Sequence, residues 1–223
     1  GRAMPDRFKD ACGIVGVLGS AEASNLVYLA LYALQHRGQE SAGIVASDGE
    51  TLHLEKAMGL VADVFGEARL GRLTGRLAIG HVRYSTTGGS QLKNAQPILA
   101  TCRHGMVAVA HNGNLVNAQS VRGELEAQGS IFSTSTDTEV VVHLIARAKS
   151  DDLVEATAEA LGRLSGAYSL VIMNERELLG IRDPHGLRPL SLGRLGTTWV
   201  LASETCAFDL IEAKFVRDLE PGE

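Results

Sequence analysis

The apolar runs of this chain follow an order that an alternating βαβ fold does not use. A short β-branched run, Cys12-Gly-Ile-Val-Gly-Val-Leu18, is broken by Gly19-Ser20. Leu26, Leu29, Ala30, Ala33 and Leu34 then recur at helical spacing. This predicts one strand, then a helix over 22–35 capped by Ser20 or Ser24. Runs at 42–47 and 51–55 flank Asp48-Gly49-Glu50, and Asp-Gly between apolar runs signals a hairpin. Further strands are expected at 77–82 and 106–110, and helices over 116–128, 138–149 and 153–164. The last of these starts at Asp151-Asp152. Short strands at 168–173, 177–181, 190–192 and 199–202 close the pattern. Strands that follow one another without helices between them pair antiparallel, so the order predicts antiparallel sheets with helices packed outside. No linker, repeat or compositional break divides the chain, and one domain is the expectation.

Composition narrows the function. With 223 residues, 45% of them hydrophobic and 21% charged, the chain can bury a full core without disulfide or metal staples. Lys plus Arg total 21 against 26 Asp plus Glu, a net charge of −5, which argues against a nucleic-acid partner. Cys12, Cys102 and Cys206 have neither disulfide-framework nor metal-ligand spacing. They suit a reducing, cytoplasmic setting; Cys206 reads as buried packing, and Cys102 has no assigned role. No apolar run reaches the ~18 residues of a membrane span, and the first eleven residues lack a secretory signal. Gly1-Arg2-Ala3 reads as an expression remnant ahead of Met4. Against only 5 prolines there are 25 glycines, which points to tight turns and to backbone brought close to a ligand.

The chemistry sits in polar segments set among those glycines. Gln35-His-Arg-Gly-Gln-Glu-Ser-Ala-Gly43 follows the first helix, where Gly38 either ends the helix or opens a functional loop. His81-Val-Arg-Tyr-Ser-Thr-Thr-Gly-Gly89 leaves a strand for a loop able to close over a ligand, and Arg83 is placed to fork a carboxylate. His111-Asn-Gly-Asn114 follows another strand. There Asn112-Gly113 is either a plain turn or a pair of donors for an oxyanion. Ser133-Thr-Ser-Thr-Asp-Thr-Glu139 opens a helix, with Asp137 either its N-cap or a carboxylate for a substrate ammonium. Together Arg83 and Asp137 would grip the two ends of an amino-acid zwitterion. The missing nucleophile is Cys12. Either it is a buried small hydrophobe, or removal of the leader makes its own amine, with pKa near ~8, the general base.

Five ordered segments carry a resemblance: Cys12-Gly-Ile-Val-Gly16, Leu34-Gln-His-Arg-Gly-Gln-Glu-Ser-Ala-Gly43, Gly80-His-Val-Arg-Tyr84, His111-Asn-Gly-Asn-Leu115 and Thr136-Asp-Thr-Glu139. The chain resembles the N-terminal glutaminase domain of the class II glutamine amidotransferases, which are N-terminal-nucleophile hydrolases. Gln35-His-Arg-Gly-Gln39, Arg182-Asp-Pro-His-Gly-Leu-Arg-Pro-Leu190 and Ala202-Ser-Glu-Thr-Cys206 make it similar to the branch that joins this domain to a phosphoribosyltransferase.

The resemblance implies an α+β fold, a four-layer αββα sandwich. It implies Cys12 as nucleophile, Asn112 and Gly113 as oxyanion hole, Arg83 on the glutamine α-carboxylate and Asp137 on its ammonium. Thr86 would line the site and Arg37 would support the nucleophile. Residues 1–11 would be a leader and 12–223 the glutaminase domain, with the phosphoribosyltransferase domain absent. A chain that keeps Ala11 joined to Cys12 would be an inactive precursor. The implied activity is hydrolysis of L-glutamine through a Cys12 thioester, its ammonia feeding phosphoribosyl pyrophosphate to make phosphoribosylamine in purine synthesis. The alternatives are the glutaminase domain of another class II amidotransferase, or an unprocessed non-catalytic domain. No metal or cofactor is expected in this domain; Mg2+ and an iron–sulfur cluster would belong to the second domain, and the full-length enzyme would be a homo-oligomer without membrane or nucleic-acid partners.

Overall fold

The computed structural model describes residues 12–35, 39–84 and 91–223. Strand β1 (Gly13–Leu18) leads into helix α1 (Ala23–Leu34). Neither candidate serine caps α1. Ser20 lies in the preceding turn, where its carbonyl accepts from Ala23 N–H at 3.0 Å, and Ser24 is buried within the helix. The expected hairpin forms between β2 (Gln39–Ser47) and β3 (Leu52–Met58). Its turn is fixed by Asp48 Oδ1, which accepts from the N–H groups of Glu50 at 2.9 Å and Thr51 at 2.8 Å.

Two short helices that periodicity could not show, α2 (Val61–Val64) and α3 (Glu67–Gly71), precede β4 (Leu77–Tyr84). Strands β5 (Ile98–Cys102) and β6 (Gly105–Leu115) come next, then α4 (Ala118–Ala127), α5 (Asp137–Arg147) and α6 (Leu153–Leu161). As expected, Asp152 caps α6, accepting from Glu155 N–H at 2.9 Å. The chain then forms β7 (Gly166–Met173), β8 (Leu178–Arg182), β9 (Ser191–Leu195), β10 (Thr198–Ala202), α7 (Cys206–Leu210) and β11 (Lys214–Asp218).

These strands make two antiparallel sheets, a seven-stranded one ordered β11-β9-β10-β1-β4-β2-β3 and a four-stranded one ordered β5-β6-β7-β8. The period-two alternation of each strand sends its residues to two different cores. Val15, Val17, Ala42, Ile44, Ala78 and Val82 pack beneath α1 and α7 on the outside of the large sheet. Val107, Val109, Leu170 and Ile172 pack beneath α4, α5 and α6 on the outside of the small one. Ile14, Val45, Ile79, Ala108, Ala110, Val171 and Met173 fill the space between the sheets. The order of layers is therefore helix, sheet, sheet, helix, the expected αββα sandwich.

Two further expectations are corrected. Cys206 is exposed at the start of α7, because only Ala207 and Phe208 of that short helix face the core. And His111-Asn-Gly-Asn114 does not follow a strand; it lies inside β6, paired with β7 as far as Leu115 opposite Gly166. Tertiary pairing overrides the turn preference of Asn-Gly. Gly113 is what permits it: φ is 126°, and a Cβ there would stand 2.1 Å from the Ala167 carbonyl oxygen.

Candidate active site

Strand alternation brings the sequence candidates to one end of the gap between the sheets. On β1, Ile14 faces the gap, and the same period carries Cys12 to that face. On β4 the gap-facing residue Ile79 is followed two and four positions later by His81 and Arg83. Gly13 pairs with Val82, so one further step of the register sets Cys12 opposite Arg83. From the other sheet, Ala108 and Ala110 put Asn112 on the gap face of β6.

A cavity of about 250 Å³ opens at this end, lined by Cys12, Arg83, Asn94, Gln96, His111, Gly113, Ser135, Thr136 and Asp137. Four of the proposed site residues, Cys12, Arg83, Gly113 and Asp137, are thus brought together. Asn112 is beside the cavity but not on its lining. Its side chain is buried, with Oδ1 unpartnered among the described residues. Ser169, its register partner on β7, also has an unpartnered hydroxyl. Arg37 and Thr86 lie outside the described residues, as do residues 1–11.

Arg83 is positioned by a neighbour that the sequence did not suggest. Gln39 pairs with Tyr84 and Ser41 with Arg83, so Glu40 is the extra residue of a bulge. Its Oε1 lies 3.3 Å from Arg83 Nε. The terminal nitrogens of the guanidinium make no hydrogen bond among the described residues, which suits them to a substrate carboxylate.

Asp137 is the first residue of α5, and the cap is Thr136, whose Oγ1 accepts from Thr138 N–H. The N-cap alternative for Asp137 is therefore excluded. Burial pushes the Asp137 carboxyl up, while the Gln119 amide, 3.1 Å from Oδ1, and the Arg122 charge oppose that shift. No ion pair to Asp137 forms among the described residues, so a substrate ammonium would supply the missing countercharge. The turn ahead of it is braced from both sides. Arg122 donates to the carbonyls of Thr134 and Thr136, each at 3.0 Å. Glu139 accepts from the N–H groups of Ser133 and Thr134. Burial alone would raise the Glu139 carboxyl, yet these bonds and His143 bring it below its ordinary value. Thr136 and Glu139 have the spacing of a capping box, a signal legible in the sequence.

Two histidines at the site are neutral. His81 is fully buried and its pKa falls to about 3, chiefly through desolvation; its Nε2 lies 3.1 Å from the His111 carbonyl oxygen. His111 falls to about 4 for the same reason, aided by the charge of Arg188. Among the described residues no group of three or more His, Cys, Asp or Glu could hold a metal ion. No helix there is long and apolar enough to cross a membrane.

The 182–190 segment is accounted for by architecture. Buried Asp183 accepts from the N–H groups of Tyr168, His185, Leu187 and Arg188. Arg182 donates to the carbonyls of Gly186, Arg188 and Leu219. The two side chains freeze the crossing from the small sheet to the large one.

Comparison with known proteins agrees with this geometry. Residues 81–209 match the glutamine amidotransferase domain family. Amidophosphoribosyltransferase 3, chloroplastic, of Arabidopsis thaliana is 53% identical over 219 residues, covering 98% of this chain and 41% of that protein. The amidophosphoribosyltransferase of Bacillus subtilis is 50% identical over 217 residues, covering 97% of this chain and 46% of its relative. A solved structure described as the allosteric regulatory enzyme of purine biosynthesis superposes with a TM-score of 0.91 at 50% identity, over 94% of this chain and 45% of the other. The chain thus spans a little under half the length of the curated relatives it matches.

Proposed function

The chain belongs to the glutamine amidotransferase domain family, and on that premise we propose that it releases ammonia from the side-chain amide of glutamine through a thioester on Cys12. The observation that carries this reading is the cavity shared by Cys12, Arg83, Gly113 and Asp137. These are a nucleophile, a cation, a backbone donor and a carboxylate, drawn from both sheets and a helix start. Arg83 takes the α-carboxylate of glutamine and Asp137 its α-ammonium, which leaves the side-chain amide directed at the thiol. Arg37 and Thr86 are assigned supporting and lining roles.

With residues 1–11 removed, the Cys12 α-amine accepts the thiol proton. The thiolate sulfur attacks the amide carbon, the C=O π pair moves to oxygen, and the oxyanion is held by the Gly113 N–H and the Asn112 amide. Collapse re-forms the carbonyl and breaks the C–N bond. The departing nitrogen takes its proton from the Cys12 ammonium and leaves as ammonia. Water then attacks the γ-glutamyl thioester, freeing glutamate and the thiol. In the full-length protein a second, phosphoribosyltransferase domain would use the ammonia to convert phosphoribosyl pyrophosphate to phosphoribosylamine, in the cytoplasm and as a homo-oligomer. This reading assigns no cofactor to the present domain; Mg2+ and any iron–sulfur cluster go with the second.

The test is ammonia release from glutamine by protein whose intact mass establishes Cys12 as its first residue. Activity in that species, its loss by at least about 10³-fold in Cys12→Ala, and none in the chain retaining Ala11 are expected. Asp137→Asn should raise KM for glutamine about tenfold or more, consistent with loss of a charge-assisted bond to the ammonium. A processed parent that releases no ammonia would remove the enzyme reading.

A further inference from the structure

The segment 94–97 between β4 and β5 belongs to neither sheet, yet it gives two side chains, Asn94 and Gln96, to the cavity. It is held at four points. Lys56, on β3, donates from Nζ to the Ala95 carbonyl at 2.7 Å. The Gln96 carbonyl lies against the bare Cα of Gly43, where a Cβ would stand 2.2 Å from its oxygen. Gln96 Oε1 accepts from the His111 N–H at 2.8 Å. Asn94 exchanges two hydrogen bonds with Ser135: Nδ2 donates to Oγ at 2.9 Å, and Oδ1 accepts from the Ser135 N–H at 3.0 Å.

Lys56 is half-buried, has no carboxylate partner among the described residues and directs its ammonium to a main-chain oxygen. Its burial lowers its pKa, so its charge is kept at some cost by a carbonyl dipole alone. The reciprocal Asn94–Ser135 pair joins this strap to the turn that ends in Thr136 and Asp137. Among the described residues Ser135 has no other hydrogen bond across the cavity.

We propose that Lys56 and Asn94 are positioning residues for substrate recognition: Lys56 fixes the strap, and the Asn94–Ser135 pair passes that placement to Asp137. This rests on the reading of Asp137 as the ammonium-binding group. Neither residue acts on the reacting amide, so their loss should weaken glutamine binding and spare the chemical step.

The experiment combines glutaminase kinetics with amide hydrogen exchange on processed Lys56→Met, Lys56→Arg, Asn94→Ala and the Lys56→Met/Asn94→Ala pair. Lys56→Met and Asn94→Ala should each raise KM about five- to tenfold with kcat within about twofold. Lys56→Arg, which keeps a donor for Ala95, should stay within about twofold of the parent in both. The double variant should fall short of the product of the single effects, since the two residues lie on one path. Exchange in segment 133–137 should quicken in Lys56→Met although, among the described residues, Lys56 makes no hydrogen bond or ion pair to that segment. Unchanged KM in both single variants, a fall in kcat at constant KM, or unchanged exchange in 133–137 would each overturn the proposal. If Lys56→Met does not fold, Lys56→Ala takes its place, with the same rise in KM and the same quickened exchange in 133–137 expected. Failure of the parent to release ammonia strikes instead at the enzyme reading, while the exchange data still decide the coupling.

Discussion

His81 Nε2 sits 3.1 Å from the carbonyl oxygen of His111, a hydrogen bond that crosses from the large sheet to the small one. Since a carbonyl only accepts, His81 must carry its proton on Nε2. The bond ties the strand that bears Arg83 to the strand that bears Gly113.

Both histidines should make stability pH-dependent. Each binds a proton near pH 6.5 when unfolded but only near pH 3 (His81) or pH 4 (His111) when folded. Between those values the unfolded state holds more protons, so stability is fully present above pH 6.5 and declines as pH falls towards 4. The slope is at most about 1.4 kcal/mol per pH unit for each histidine. Thermal melts from pH 7.5 to 4.5 should show it, and His81→Gln should flatten it. A His81→Gln profile as steep as the parent's would assign the dependence elsewhere.

Replacing Asn112 by Ala should lower turnover by ~10²–10³ while the melting temperature moves by only a few degrees, on the order of 1 kcal/mol. The fold survives because Asn112 Oδ1 has no partner to leave stranded among the described residues. Unchanged turnover in the folded variant would take Asn112 out of the oxyanion role.

Glycine substitutions should separate by site. Gly43→Ala drives a methyl group to 2.2 Å from the Gln96 carbonyl oxygen, and should destabilise by about 1–3 kcal/mol. Gly123, inside α4 with nothing within 4 Å of a Cβ, should gain about 0.5–1 kcal/mol as Ala. Denaturant midpoints measure both; equal shifts of one sign would contradict the packing around Gly43.

What the sequence made legible was what alternation and spacing control. The hairpin at Asp48-Gly49 and the faces of β1 and β4 follow from local pattern, and with them the convergence of Cys12 and Arg83. Asp137 was found because a hydroxyl-rich stretch opens a helix. Asn94 and Gln96 were not, since residues 91–97 carry neither period and their meaning comes from partners in β3, β6 and the 133–136 turn. Glu40 was hidden for another reason: a bulge shifts its register by one, and no local signal marks a bulge without glycine. In Asn112-Gly113 the local signal was present but pointed to a turn, and pairing with β7 outweighed it.

Because Cys12 comes from one sheet and Gly113 from the other, the filling between the sheets acts as a shim that, on the reading of Cys12 as nucleophile and Gly113 as oxyanion donor, sets the jaw width between them. Ile14 and Ala110 lie one strand repeat behind Cys12 and Asn112 on the gap-facing side. A single added methyl group at Ala110 would open that span without touching a reacting atom. On that reading the interior of this domain is a measuring part as well as a supporting one, and its calibre belongs to the proposed chemistry.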